Sequence, residues 1–330
     1  MEHTRLGQTG LQVSRLCLGT MTFGLQCNEA TSFGIFDRAT TGGITFLDTA
    51  DVYPLGGSTS TAGRTEEIVG KWLEGKRHEF ILATKCNGQM GPRRWEGGNS
   101  RKHILDAIDA SLKRLRTDYV DLYQLHGYDP NTPMDETVRA LENVVRSGRV
   151  RYVGVSNWLA FRLARAIGKQ EAAGFARFDS VQPRYNLIFR EFERELFPLC
   201  AEECIGVIPY NPLAGGLLTG KHSQASGPRE GTRFTLGNAA QNYQSRYWHD
   251  REFDTVEAIK GVAKDSGIPM VQMALRWVLA NPVITAPIIG ASRAEQLDDS
   301  LAAVKAPLPA DVKARLDKIT DDYRHGDAVR

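Results

Sequence analysis

Short apolar runs rich in β-formers alternate along this chain with longer segments of helical period, and that alternation restricts the fold more than any other feature. Strand, helix and strand in succession build a parallel sheet, because parallel neighbours need a crossover long enough to hold a helix. Strands are expected at Arg15–Leu18, Ile44–Asp48, Phe80–Lys85, Tyr119–His126, Val150–Val155, Ser180–Gln182, Gly206–Tyr210 and Ile284–Ile289. Among the helices expected between them are Thr65–Leu73, Ser100–Leu115, Thr132–Arg146 and Met270–Leu279, with Ser100 as an N-cap and Gly148 as a stop signal. Eight such units, with no linker dividing the chain, close more naturally as a barrel than as an open sheet. The expected fold is α/β: a single (β/α)8 TIM barrel domain over residues 1–330, with its active site at the C-terminal face. The Gly/Ser/polar stretch 222–247 reads as an irregular insertion after the seventh strand and a mobile flap over the barrel mouth.

Composition excludes several classes. A 42% hydrophobic and 24% charged content is that of a folded globular protein, and a formal charge of +2, from 41 basic and 39 acidic residues, asks for neither nucleic acid nor an anionic membrane as partner. The sequence contains neither a leader-like N-terminus nor an uncharged apolar run of spanning length, so a cytoplasmic protein is expected. The five cysteines lack the paired spacing of zinc sites. Cys200 and Cys204 read as small core residues, and no metal site is expected.

Reactive groups of a β/α barrel stand at the carboxyl ends of its strands. Here the second, third and fourth strands end in Asp48, Lys85 and His126, and Tyr53 follows Asp48 on the next loop. Strand alternation aims all three strand ends inward: Ile44, Phe46 and Asp48 share a face, as do Ile81, Ala83 and Lys85, and Leu122, Gln124 and His126. Each alone is an ordinary cap, solvated end or structural histidine; together they form a constellation suited to proton transfer. A carbonyl that accepts a hydride becomes an alkoxide and needs a proton. Tyr53 is the candidate donor, Lys85 a neighbouring ammonium that lowers its pKa, Asp48 the partner that keeps Lys85 charged, and His126 a hydrogen-bonding partner for the substrate oxygen. The hydride must come from a cofactor, since no side chain supplies one.

No GxGxxG follows a strand, so a Rossmann site is unsupported. Gly215–Lys221 has the GxxxxGK spacing of a phosphate loop, but His222 stands where a magnesium-binding Ser or Thr belongs, which argues against ATPase chemistry. The same glycines still allow a backbone to approach a pyrophosphate, with Lys221 as counter-charge. After the eighth strand, Ser292 and Arg293 precede a helix starting near Ala294, either as an anion site or as a cap beside a solvated arginine.

These residues resemble the aldo-keto reductases from end to end, in the branch of bacterial members and potassium-channel β subunits. The matching stretches are Gly43–Tyr53 (GITFLDTADVY), Ala83–Lys85, Leu112–His126, Val153–Asn157, Pro209–Leu213 and Ile289–Arg293. The resemblance implies one barrel binding NADP(H) across its C-terminal face, with NAD(H) as the alternative, and places Asp48, Tyr53, Lys85 and His126 on the family's catalytic tetrad. It further implies cofactor contacts from Thr20 and Asp48, contacts from Ser156, Asn157 and Gln182 to the nicotinamide carboxamide, and Tyr210 stacked on the nicotinamide ring. Asn211, Pro212, Leu213, Gly215, Lys221 and Arg233 would hold the pyrophosphate. Gly290, Ser292, Arg293, Gln296 and Asp299 would surround the 2'-phosphate and adenine, and Ser300 departs from the amide that relatives often carry there. Phe23, Trp95, Tyr128 and Trp158 are the candidate pocket aromatics.

The reaction implied is reduction of an aldehyde or ketone, or the reverse oxidation, on a small-molecule carbonyl or alcohol by a monomer or weak homo-oligomer. Two other classes compete. A regulatory subunit that binds a partner while retaining a reductase barrel fits the channel-subunit branch, although the chain enters its barrel almost at once. A barrel hydrolase lacks the required acids and histidines at the strand ends.

Overall fold

The computed structural model describes residues 1–325, so the last stretch of the expected domain lies outside the described residues. A hairpin of β1 (His3–Arg5) and β2 (Gln12–Ser14) comes first. Eight parallel strands follow: β3 (Cys17–Gly19), β4 (Phe46–Asp48), β5 (Ile81–Cys86), β6 (Val120–Leu125), β7 (Val150–Ser156), β8 (Phe178–Gln182), β9 (Gly206–Val207) and β10 (Ile288–Ile289), in the spatial order β10-β3-β4-β5-β6-β7-β8-β9. A parallel bridge between Val207 and Ile284, with Thr285 N–H donating to Val207 O at 2.8 Å, brings the two ends together. This is a (β/α)8 TIM barrel.

Helices α1 (Glu29–Thr41), α2 (Arg64–Leu73), α3 (Arg101–Leu115), α4 (Met134–Arg146), α5 (Ala160–Ala173) and α6 (Leu196–Glu202) alternate with the strands. Helices α7 (Ala240–Tyr247), α8 (Asp250–Ser266) and α9 (Met270–Leu279) separate the last two strands, and α10 (Leu297–Ala303) and α11 (Ala310–Ile319) complete the shell. The Ser100 hydroxyl caps α3 by accepting from His103 N–H at 3.2 Å, and Gly148, at φ 77°, leaves α4 through a left-handed turn.

The strands sort their side chains by alternation. Cys17, Phe46, Ala83 and Leu122 fill the barrel interior with Ile208 and Ala286, while Leu18, Leu47, Leu82 and Tyr123 join the larger core toward the helices. Leu6 and Val13 of the hairpin enter the inner cluster, so the hairpin plugs the N-terminal end of the barrel. The plug is tight at Gly7: with φ at 56°, a Cβ there would lie 2.5 Å from Cys204 O and 2.7 Å from Gly206 N.

Several expectations need correction. The chain does not enter the barrel directly, because the hairpin precedes it. The seventh and eighth strands are shorter than expected; Pro209 and Pro287 each remove a ladder donor where the longer strands would have run. Stretch 222–247 is not wholly irregular, since α7 occupies its C-terminal part. Cys204 is an exposed thiol beyond the end of α6 rather than a core residue, whereas Cys200 is buried.

Candidate active site

Asp48, Lys85 and Gln124 stand at or near the carboxyl ends of three adjacent strands, and each points into the barrel mouth because it falls in step with the interior residues Phe46, Ala83 and Leu122. The Lys85 ammonium is fully buried, 2.5 Å from Asp48 Oδ1, and donates to Thr49 O at 2.8 Å. Gln182 and Gln124 donate their side-chain N–H groups to the other Asp48 oxygen at 2.9 and 3.2 Å. The carboxylate therefore has partners on both oxygens, which offsets the cost of burying it.

Tyr53 and His126 complete the cluster. Their rings meet edge to face with centroids 5.7 Å apart, and Lys85 Nζ lies 5.0 Å from the Tyr53 ring centroid. Burial pushes the Tyr53 phenol above its ordinary range, and the opposing pull of Lys85 does not cancel it. Lys85 pulls the phenol down as expected, but burial outweighs that pull, so the net shift is upward and the phenol keeps its proton at neutral pH. Burial pulls Lys85 down, but Asp48 and then Tyr53 outweigh it and hold the ammonium charged. Burial and then the Lys85 charge depress His126 to about 3, so its ring is neutral and carries a single N–H.

Around this cluster opens a cavity of about 760 Å³, within the range of roughly 300–1,000 Å³ usual for small-molecule sites. Asp48, Tyr53 and His126 line its reactive end, together with Thr20, Ser156, Asn157, Gln182 and Tyr210. These groups are linked: Ser156 Oγ donates to Gln182 O at 2.8 Å, Asn157 Nδ2 to His126 O at 3.0 Å, and Tyr210 OH to Asn157 Oδ1 at 2.8 Å. Thr20 Oγ donates to Asp48 O at 2.9 Å.

The cavity continues past Asn211, Pro212, Leu213, Gly215 and Gly216 to Lys221 and Arg233, and then to Gly290, Ser292, Arg293, Gln296, Asp299 and Ser300. Gly215 and Gly216 take φ of 69° and 104°, a path that a side-chain-bearing residue rarely follows, and at Gly215 a Cβ would lie 2.7 Å from the Tyr243 ring. Burial and then the charges of Arg293, Arg229 and Arg233 lower the Lys221 pKa, so four cations crowd one end of the cavity. Such a like-charged cluster is built for a polyanion. The glycine loop and the cations together fit the pyrophosphate of a dinucleotide. Segment 222–247 crosses this region and ties down on the far side: Gln26 Nε2 donates to Gly231 O at 2.6 Å, and Arg233 Nη1 to Gln26 Oε1 at 2.9 Å.

The aromatic candidates fall outside the cavity lining. Phe23 is fully buried against Phe36. Trp158 is buried between Tyr128 and Phe178, and Tyr128 carries the Arg162 guanidinium on its ring. Trp95 is 53% exposed on its loop. The lining instead includes Met21, Val52, Leu55 and Tyr243, with Asn242 and Arg246 on α7. Gln124 is the other omission, and its inward step beside Leu122 and His126 was the available signal.

A parallel barrel with an acid, an ammonium, a phenol and an imidazole at one mouth, beside an elongated cationic cavity, defines an oxidoreductase of the nicotinamide-dependent barrel class. The sequence model of the Aldo/keto reductase family matches residues 15–321, and the chain belongs to that family. It is 41% identical to an "Uncharacterized oxidoreductase YrpG" of Bacillus subtilis, over 97% of this chain and 96% of that one. It is 35% identical to a "Probable voltage-gated potassium channel subunit beta" of Arabidopsis thaliana (97% and 95%) and 34% identical to the versiconal hemiacetal acetate reductase of Aspergillus parasiticus (93% and 94%). Among the described residues, no helix is long and apolar enough to cross a membrane.

Proposed function

We propose that this protein is an NADP(H)-dependent reductase of aldehydes or ketones, able to run the reverse oxidation, in which Tyr53 exchanges the proton. One observation carries the reading: the buried Asp48–Lys85 pair beside Tyr53 and His126 opens onto the same cavity that gathers Lys221, Arg229, Arg233 and Arg293. The cofactor, when bound, supplies the hydride. Ser156, Asn157 and Gln182 would meet its carboxamide and Tyr210 its ring, the loop Asn211–Gly216 with Lys221 and Arg233 would hold the pyrophosphate, and Ser292 and Arg293 would hold the 2'-phosphate. Gln182 already donates to Asp48, so its carboxamide contact falls to the side-chain oxygen or requires the amide to turn.

The neutral His126 ring donates its N–H to the carbonyl oxygen and sets it within reach of the Tyr53 hydroxyl. Proton transfer from Tyr53 then neutralises the oxygen as the carbonyl carbon is reduced, and Lys85 stabilises the tyrosinate left behind. Segment 222–247 acts as the flap over the bound cofactor, within one barrel domain. A reducing compartment such as the cytoplasm suits the five free thiols, and the chain works as a monomer or weak oligomer.

Arg293→Ala tests the choice of cofactor. The guanidinium lines the cavity and its charge reaches Lys221. Losing a charge-assisted contact of about 1.5–3 kcal/mol should weaken NADPH by roughly ten- to a hundredfold and NADH far less, read by titrating nicotinamide fluorescence. An equal loss for both cofactors refutes the role. The similarity to a plant channel β subunit favours a second reading, a partner-binding regulatory subunit with a reductase fold. Purified protein that oxidises neither NADPH nor NADH with any of a panel of carbonyls would support it.

A further inference from the structure

We infer that Gln124 is a positioning residue for the cofactor: it takes up the second N–H of Gln182, so that Gln182 offers the nicotinamide carboxamide an acceptor and no donor. The inference rests on the reductase reading and deepens it, for Gln124 lies behind Gln182 and is not itself part of the cavity lining. Gln124 stands on β6, in register with Lys85 of β5 on one side and Gly154 of β7 on the other, whereas Gln182 ends β8. The two glutamines are thus two strands apart, and their side chains meet across β7. Gly154 leaves the passage open. A Cβ there would lie 2.3 Å from Ser180 Oγ and 3.4 Å from Gln124 Cγ, so any larger residue would crowd the space through which the amide reaches.

The outcome is a closed triangle of buried polar groups. Gln182 Nε2 donates to Asp48 Oδ2 at 2.9 Å and to Gln124 Oε1 at 3.3 Å, and Gln124 Nε2 donates to the same Asp48 oxygen at 3.2 Å. Charge fixes the sense of both amides. Asp48, paired with the Lys85 ammonium through Oδ1, is a carboxylate and only accepts, so either amide turned over would set oxygen against oxygen.

An amide nitrogen carries two N–H groups, and here Gln182 spends one on Asp48 and the other on Gln124. Among the described residues none donates to Gln182 Oε1, and Gln182 lines the cavity at the end proposed for the nicotinamide. Asp48 alone would leave Gln182 with a spare N–H, free to meet a ligand as donor or as acceptor. Gln124 removes that choice. The ring substituent that faces Gln182 must then bring an N–H of its own, which a carboxamide has and a methyl ketone lacks; without it a buried acceptor stays unpaired.

The probes are NADP+ and 3-acetylpyridine adenine dinucleotide phosphate, whose acetyl group keeps the carbonyl and has no N–H. In calorimetric titrations of the full chain, the wild-type protein should bind NADP+ roughly tenfold more tightly, the scale of one buried group left unpaired. Gln124→Leu frees the second N–H of Gln182 and should reduce that preference to about twofold or less. Gln124→Glu should retain it: facing Asp48, the new carboxyl keeps its proton, gives that hydrogen bond to Asp48 and accepts from Gln182 with its other oxygen. A merely structural role would weaken both dinucleotides in proportion and leave the preference standing. The same preference in Gln124→Leu as in wild type, or none in wild type, overturns the role of Gln124. Binding that follows the prediction in a protein that reduces no carbonyl supports it and counts against the reductase reading alone, whereas a wild-type protein that binds neither dinucleotide overturns both.

Discussion

Replacing Tyr53 with Phe is expected to lower turnover of a reactive aldehyde by roughly a hundred- to ten-thousandfold, the usual worth of a general acid, while NADPH affinity stays within about twofold of wild type. The expectation follows from how the phenol is held. Its ring sits edge-on to His126 and 5.0 Å from the Lys85 ammonium, and burial keeps its proton in place, so the hydroxyl alone distinguishes the two side chains at this position. Phe preserves the ring and its packing and removes the proton. Stopped-flow or steady-state measurement of NADPH oxidation, with cofactor affinity measured separately by fluorescence, reads the two quantities. Unchanged turnover would show that the proton reaches the oxygen from another group.

Lys85→Met should destabilise the fold by about 3–5 kcal/mol and also reduce turnover strongly. The ammonium is fully buried against Asp48, and its removal leaves that carboxylate enclosed with only the two glutamine amides for partners. The stability effect belongs to the unpaired charge rather than to lost packing. Accordingly, Asp48→Asn combined with Lys85→Met should be distinctly more stable than the sum of the single changes allows. Denaturant unfolding of the four proteins of that cycle measures the coupling; simple additivity would contradict the account of the buried pair.

The legible part of this molecule was the part governed by periodicity. Asp48, Lys85 and His126 could be aimed into the mouth because strand alternation is a strict rule, and the eight-unit pattern was enough to imply closure. Loop residues obey no such rule. Trp158 follows directly on Asn157, which lines the cavity, yet its ring turns away to pack between Tyr128 and Phe178, and nothing in sequence spacing encodes that turn. Phe23 was misjudged for the same reason, its loop passing near the mouth while its ring enters the core against Phe36.

Arg246 was hidden by the surrounding composition, since a polar stretch rich in Gly and Ser concealed the short helix that presents it. The hairpin was missed because strands as short as β1 and β2 depend on their pairing and on the barrel they plug, not on their own propensity. The sign of the Tyr53 shift needed burial as well as charge: sequence gave Lys85 as a neighbour but not the depth of the pocket that outweighs it.

The central claim is that this barrel moves a hydride between a nicotinamide and a carbonyl carbon with Tyr53 exchanging the proton. The most direct measurement uses NADPH deuterated on the transferring face of the nicotinamide ring, an aryl aldehyde and the purified protein, with the alcohol product examined by mass spectrometry and NMR. Deuterium at the carbinol carbon with the wild-type protein, and its near-absence with Tyr53→Phe over the same interval, is the predicted result. An alcohol formed without deuterium at that carbon, or formed equally fast by both proteins, would contradict it.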